Sequence, residues 1–342
     1  MHPSIPAEPR YEKKFVSVLG KRMAYVEAHA SSQGSSDTQD TIVFVHGNPT
    51  SSYMWRNVMP HCEELKGIDG GNVRLIALDL IGMGASEKLD NFDDPRRYSL
   101  KEQCTYFSAF LEALNVRERV TLVAHSWGGT LAAHWGSQQN QRGNSKAVHG
   151  MVILEVVYKP FSSWEHVPKK IRGGVKLMLR PPIKWFFGCF GSFDLGAFLI
   201  MKKNLMLESM KDRVLRTDFG EAEMKHYRQG FEKTHPQGIE SRRPILSFVR
   251  SIPVAGEPPE VVEIMDAGRA WLADSQIPIL FFSVQPGTMM PGDRDFIRGL
   301  GKNVTEIEVE GGHMVTEDCP DDVGRNILKW FEENLKITVV KG

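Results

Sequence analysis

The chain has 342 residues, with 42 Lys+Arg against 42 Asp+Glu, 41% hydrophobic and 25% charged residues. That balance leaves no basic excess to neutralise a phosphate backbone and no charged or low-complexity block typical of a disordered chain, so no nucleic-acid partner is expected. The length, about twice that of an ordinary domain, allows either two domains or one large α/β domain with an insertion, and a core that needs no disulfide staples.

Residues 1–13 read as a loose arm without the apolar stretch of a secretory signal. Phe15–Val18 and Met23–Ala28 read as a hairpin around a Gly-Lys-Arg turn, and Ser31–Asp40 as a polar flexible loop. Short apolar runs rich in β-branched residues follow at Thr41–Val45, Val73–Leu78, Val120–Ala124, Val148–Leu154, Ile277–Val284 and Val304–Val309. Between them, Leu100–Leu114 and Asp321–Leu335 carry apolar residues at helical spacing. Strand alternating with helix predicts a mostly parallel sheet covered by helices on both faces, with chemistry gathered beyond the C-terminal strand ends. His46, Asp79, His125 and Glu155 stand there.

The rhythm breaks between Glu155 and Ile277. A crossover needs roughly a dozen residues or more, so an inserted helical cap is expected over 156–245, leaving 1–155 and 246–342 as the core domain. Trp185–Met201 inside it is strongly apolar but short and interrupted by Asp194. It reads as pocket-lining helix rather than a membrane span, and no integral membrane segment is expected. Cys62, Cys104, Cys189 and Cys319 show no C-x-x-C pair or metal-ligand spacing and read as reduced, packed thiols. The sequon at Asn303-Val304-Thr305 reads as accidental, the terminal VVKG carries no sorting address, and the default compartment is cytoplasmic.

The strongest local signal is Val120–Gly129 (VTLVAHSWGG). A strand runs through small-x-Ser-x-Gly into a helix, the pattern of a sharp turn that lifts Ser126 above the sheet edge. A serine needs a base. His313, after the last strand and before the closing helix, is better placed than His46 or His125. The base needs an orienting carboxylate. Glu155 at its strand end is preferred over Asp293 and Asp295, which follow the next strand. Backbone N–H groups of Trp127 and Asn48 are the expected oxyanion donors.

His46–Arg56 (HGNPTSSYMWR), Asp79–Lys88 (DLIGMGASEK), Ile252–Pro258 (IPVAGEP), Pro286–Pro291 (PGTMMP), the Glu155 strand end and Gly312-His313 together resemble the haloalkane dehalogenases and the related coelenterazine luciferases. The likeness runs from about 15 to 335 and is weakest over 170–240. It implies an α/β-hydrolase fold with a mostly parallel eight-stranded sheet and an inserted helical cap. It also implies Glu155 and His313 as acid and base, Asn48 and Trp127 as halide-stabilising side-chain donors, and Trp164 as a tryptophan of the lid entrance. Val167 stands where a second lid aromatic is expected, which suggests a different or wider pocket.

The departure is Ser126, where the resemblance implies aspartate. A carboxylate attacking C–halogen makes an ester that water can open at its carbonyl. A serine would make an ether with no carbonyl to attack, so dehalogenase turnover is not expected. A serine attacking an ester carbonyl makes an acyl-enzyme that water resolves. The expected activity is therefore cleavage of a carboxylic ester, lactone or thioester of an apolar small molecule, with no metal or organic cofactor. Acyl transfer or another tailoring step in secondary-metabolite biosynthesis, and a non-catalytic ligand-binding homologue, are the alternatives. Oligomeric state is left open.

Overall fold

The computed structural model describes residues 5–30, 39–67, 71–92, 94, 96–179, 194–335 and 338–339. In chain order the main elements are β1 (Lys14–Val18), β2 (Lys21–Ala30), β3 (Gln39–Val45), β4 (Leu65–Lys66), β5 (Asn72–Leu78), α1 (Leu100–Ala113), β6 (Val120–His125), α2 (Trp127–Gln141), β7 (Val148–Leu154), α3 (Lys169–Leu179), α4 (Glu221–Arg228), α5 (Arg243–Arg250), α6 (Pro259–Asp274), β8 (Ile279–Pro286), α7 (Pro291–Gly299), β9 (Val304–Gly311), α8 (Pro320–Asn334) and β10 (Thr338–Val339). Eight strands form one sheet in the order β1-β2-β5-β3-β6-β7-β8-β9, and β4 pairs with β10 separately. Only the β1–β2 and β2–β5 pairings of the large sheet are antiparallel. The sequence expectation of a mostly parallel eight-stranded α/β-hydrolase sheet is met.

The strand order reverses at β3. The chain steps from β3 one way to β5, then back across β3 to β6 and onward to β9. Right-handed crossovers put connections of opposite direction on opposite faces. The Met59–Glu64 turn therefore lies on one face, where α8 packs against it through His61 and Asp321 (3.1 Å). Helices α1, α2 and α6 cover the other. The point of reversal opens a crevice beyond the C-terminal ends of β3 and β6, and the loops that begin at His46 and Ser126 both enter it.

Helices α1 and α8 each bury one stripe. Tyr106, Phe107, Phe110 and Leu111 of α1 face the core, with Ser99 capping the first turn by accepting from the Glu102 N–H (3.2 Å). In α8 the buried set is Val323, Ile327, Trp330 and Phe331. The β-branched runs become strands with shifted ends for local reasons. The expected strand at Ile277 starts at Ile279 because Pro278 has no N–H for the ladder, and its carbonyl instead accepts from Met151 (3.0 Å). The first hairpin turns at Leu19-Gly20, both at positive φ, so Lys21 and Arg22 join β2 instead of forming the turn.

Two further expectations change. The arm is anchored over residues 5–13: Arg56 and Asn57 donate to the Pro6 carbonyl (3.0 and 2.9 Å), Tyr53 donates to the Ala7 carbonyl, and Lys13 reaches Asp79 (2.6 Å). The expected cap end at 245 falls inside α5. Residues 31–38 of the expected loop, and 185–193 of the apolar run with Cys189, lie outside the described residues. Among the described residues no helix is long and apolar enough to cross a membrane, and Cys62, Cys104 and Cys319 are free thiols, pushed up to about 12 by burial.

Candidate active site

The site begins at the β6–α2 turn. Ser126 has φ 53° and ψ −128°, a conformation that a side chain adopts only under constraint from its surroundings. The constraint is visible on both sides. The Ser126 N–H donates to the Leu154 carbonyl (3.1 Å). A Cβ on Gly128 would stand 2.3 Å from the Val45 carbonyl oxygen, so only glycine lets α2 start this close to β3. The turn carries Ser126 to the crevice at the head of α2, whose first N–H groups and dipole favour negative charge.

Glu155 leaves β7 in the same manner, with φ 49°. Its buried carboxylate accepts at Oε2 from the Thr288 N–H (2.6 Å), the Thr288 hydroxyl (2.8 Å) and His313 Nδ1 (3.3 Å). The Thr288 oxygen is itself 2.9 Å from His313 Nδ1. With Thr288 donating to Glu155, the Nδ1–H of His313 points at both oxygens. Burial alone would push the Glu155 carboxyl up. The hydrogen bonds and charge of His313, with the Thr288 donors, outweigh it and hold the group below the usual carboxylate range. Nδ1 is thereby committed, and Nε2 is the nitrogen left to serve as base.

The two rival histidines have structural employment. His125 Nε2 donates to the His313 carbonyl (2.7 Å), its ring 4.7 Å from that of His313, and burial pushes it down to about 3. His46 accepts from the Leu80 N–H at Nε2 (2.9 Å) and donates from Nδ1 to the Gly47 carbonyl (2.7 Å), and burial takes it to about 4. Asp79 ties the arm and two loops together through Lys13 and the N–H groups of Ser52 (2.8 Å) and Ala85 (2.9 Å). Of the alternative acids, Asp293 accepts from the Tyr158 and Lys159 N–H groups (2.9 and 2.6 Å), and Asp295 is exposed.

Ser126, Trp127, Glu155, His313 and Asn48 line one cavity of about 340 Å³, together with Thr288. The backbone N–H of Trp127 is the first of α2 and has no partner within its helix. Among the described residues neither it nor the Asn48 N–H makes a hydrogen bond to protein. The Asn48 side chain differs from expectation. Its Nδ2 donates to the Ile245 carbonyl of α5 (3.2 Å), and its buried Oδ1 has no partner among the described residues. Trp164 and Val167 are not among the lining residues. Trp164 sits beside the Lys176 ammonium (5.3 Å from the ring centre), and Val167 is fully buried, its carbonyl accepting from Arg172 (2.9 Å). Phe161, Val175 and Met206 supply the lining from that part of the chain instead.

Sequence reasoning did not single out Thr288, although it lies in the PGTMMP motif. Its signal was a hydroxyl directly after a Pro-Gly turn at a strand end facing Glu155. Arg213, which also lines the cavity, carried no motif at all.

A family model described as alpha/beta hydrolase fold matches residues 40–188. A haloalkane dehalogenase of Sphingobium indicum is 39% identical over 325 residues, covering 95% of this chain and 96% of its own. One of Mycolicibacterium smegmatis is 37% identical over 329 residues, covering 96% and 93%. The crystal structure of the haloalkane dehalogenase DbeA from Bradyrhizobium elkani superposes with a TM-score of 0.75 at 31% identity, over 94% of this chain and 97% of that one. With the reversed sheet and strand-end site, this identity over nearly the whole length assigns the chain to the haloalkane dehalogenase-like family of α/β hydrolases.

Proposed function

We propose that this hydrolase cleaves a carboxylic ester, lactone or thioester of a small, largely apolar molecule through an acyl-enzyme on Ser126. The observation that carries the reading is a serine on a strained strand-to-helix turn, sharing one cavity with a histidine whose Nδ1 is committed to Glu155 and Thr288. Ser126 Oγ attacks the carbonyl carbon while His313 Nε2 takes its proton. The oxyanion meets the free N–H groups of Trp127 and Asn48. His313 returns the proton to the leaving alcohol, then deprotonates the water that opens the acyl-enzyme. Glu155 holds the imidazole and stabilises its cationic form. Residues 156–245 act as a lid whose Phe161, Val175 and Met206 exclude water from this chemistry.

The relatives are named for dehalogenation, which would need the nucleophile to be released from an alkyl group. An alkyl ether on Ser126 offers no carbonyl for water to attack. Wild-type protein is therefore expected to hydrolyse short p-nitrophenyl esters and to release no halide from 1-bromobutane. Ser126→Ala should lower ester kcat by on the order of 10³-fold or more. Equal ester rates for the two proteins, or sustained halide release by wild type, would reject the serine mechanism.

A further inference from the structure

Arg213 is the only arginine or lysine among the described residues lining the cavity. Among the described residues its side chain makes one hydrogen bond, from Nη2 to the weakly accepting Met206 sulfur (3.2 Å), and no ion pair. Burial pushes its pKa down, opposed only by neighbouring Asp212. The two carboxylates that share the cavity are engaged elsewhere, Glu155 with Thr288 and His313, Asp293 with the backbone of 158–159. The stretch 180–193 of the proposed lid contains no Asp or Glu. A half-buried guanidinium is costly without a bonded counter-charge, and among the described residues no carboxylate is within bonding distance of it.

Its position is fixed from behind. The Arg213 carbonyl accepts from the Met314 N–H (3.3 Å), and a Cβ on Gly312 would stand 2.3 Å from that carbonyl oxygen. Asp318 clamps the chain two and three residues further on, accepting from the N–H groups of Leu215 (2.6 Å) and Arg216 (2.9 Å), and takes the Gly312 N–H (2.7 Å) with its other oxygen. Arg213 is thus bound to the loop that carries His313, while Phe161, Val175, Val249 and Ile252 give the cavity apolar walls.

We infer that Arg213 is a specificity-determining residue that binds a carboxylate on the substrate, so that the favoured substrate is an ester with an apolar middle and a free acid at its far end. This rests on the serine-hydrolase reading for turnover but not for binding. A guanidinium fork matches a carboxylate bidentately, and an apolar surround strengthens the pair.

The test uses monomethyl esters of straight-chain dicarboxylic acids from succinate to suberate, each compared with its dimethyl ester. Binding to Ser126→Ala is measured by titration calorimetry. At least one monoester should bind about 10- to 100-fold more tightly than its diester. That preference should shrink to about twofold or less in Ser126→Ala/Arg213→Leu and persist in part in Ser126→Ala/Arg213→Lys. Should the leucine variant fail to fold, Arg213→Gln carries the same expectation. The same monoester preference in the charge-removed variant, or none in Ser126→Ala, overturns the inference. Wild-type turnover separates the two claims. Hydrolysis without monoester preference rejects the role of Arg213 and keeps the serine mechanism. Monoester-selective binding with no turnover does the reverse.

Discussion

At Thr288 one hydroxyl touches both His313 and Glu155 (2.9 and 2.8 Å), inside the longer direct contact of 3.3 Å between them. Replacing it by Val keeps the shape and the backbone N–H but removes that bridge. Thr288→Val should lower ester kcat about tenfold with little change in KM, and Thr288→Ser should restore most of it; a change confined to KM would mean that Thr288 touches substrate instead. Asp293 gives a prediction in pH. Burial, against the donors from residues 158–159, raises its carboxyl from 3.8 to about 6. Between those values the folded protein holds a proton that the unfolded chain has released. Stability contributed by this group is full below the lower value and lost as pH rises through the upper one, by roughly 3 kcal/mol in total. Asp293→Asn should flatten the fall of the urea midpoint over that window, and parallel profiles would contradict the assignment. The positions of Ser126 and Glu155 could be read because the buried apolar runs of β6 and β7 announce where each strand stops, whereas His313 follows the half-exposed β9 and was read from its place between the last strand and the closing helix. Thr288 and Arg213 were not, since what matters about them is a neighbour more than a hundred residues away or the lack of one.

Among the elements, the segment 213–216 meets the loop between β9 and α8 through the Asp318 carboxylate, which serves three backbone N–H groups. Asp318→Ala should destabilise the protein by about 2 kcal/mol and lower kcat, because the loop it frees also carries His313. Unchanged stability by urea titration would show that water replaces the clamp at no cost. The central strands could be read from the chain because they are short apolar runs buried on both faces, as in β3 and β6, and α1 and α8 because their buried residues recur at helical spacing, as Phe107, Phe110 and Leu111 do in α1. The arm could not. Residues 5–13 have no periodic pattern, and their order comes from single bonds to Tyr53, Arg56, Asn57 and Asp79 that no local sequence encodes. The cavity lining was equally hidden: Val167 is buried, Trp164 sits beside Lys176, and Phe161 and Val175 line the cavity.

Across the whole molecule, the equal numbers of acids and bases are partly spent inside. Fully buried Glu317 receives both guanidinium arms of Arg56 (2.5 and 2.9 Å), which follows β3, and Arg216 (3.2 Å) from the proposed lid; Arg216 also pairs with Glu223 in α4 (2.8 Å). This network joins residues 56, 216, 223 and 317 around one carboxylate. Glu317→Gln should destabilise by about 3–5 kcal/mol, since it leaves buried cations short of a partner, and a loss below 1 kcal/mol would mean that they relax to solvent. Neutrality first argued only against a nucleic-acid partner. The structure adds that one cation, Arg213, lines the cavity without a carboxylate partner among the described residues. The proposed reaction depends first on Ser126 as the nucleophile. Rapid-quench mass spectrometry of wild-type protein mixed with p-nitrophenyl butyrate should find the butyryl mass on the peptide containing Ser126, and none in Ser126→Ala. Turnover of the ester with Ser126 unmodified throughout, or with the acyl group on another residue, would contradict it.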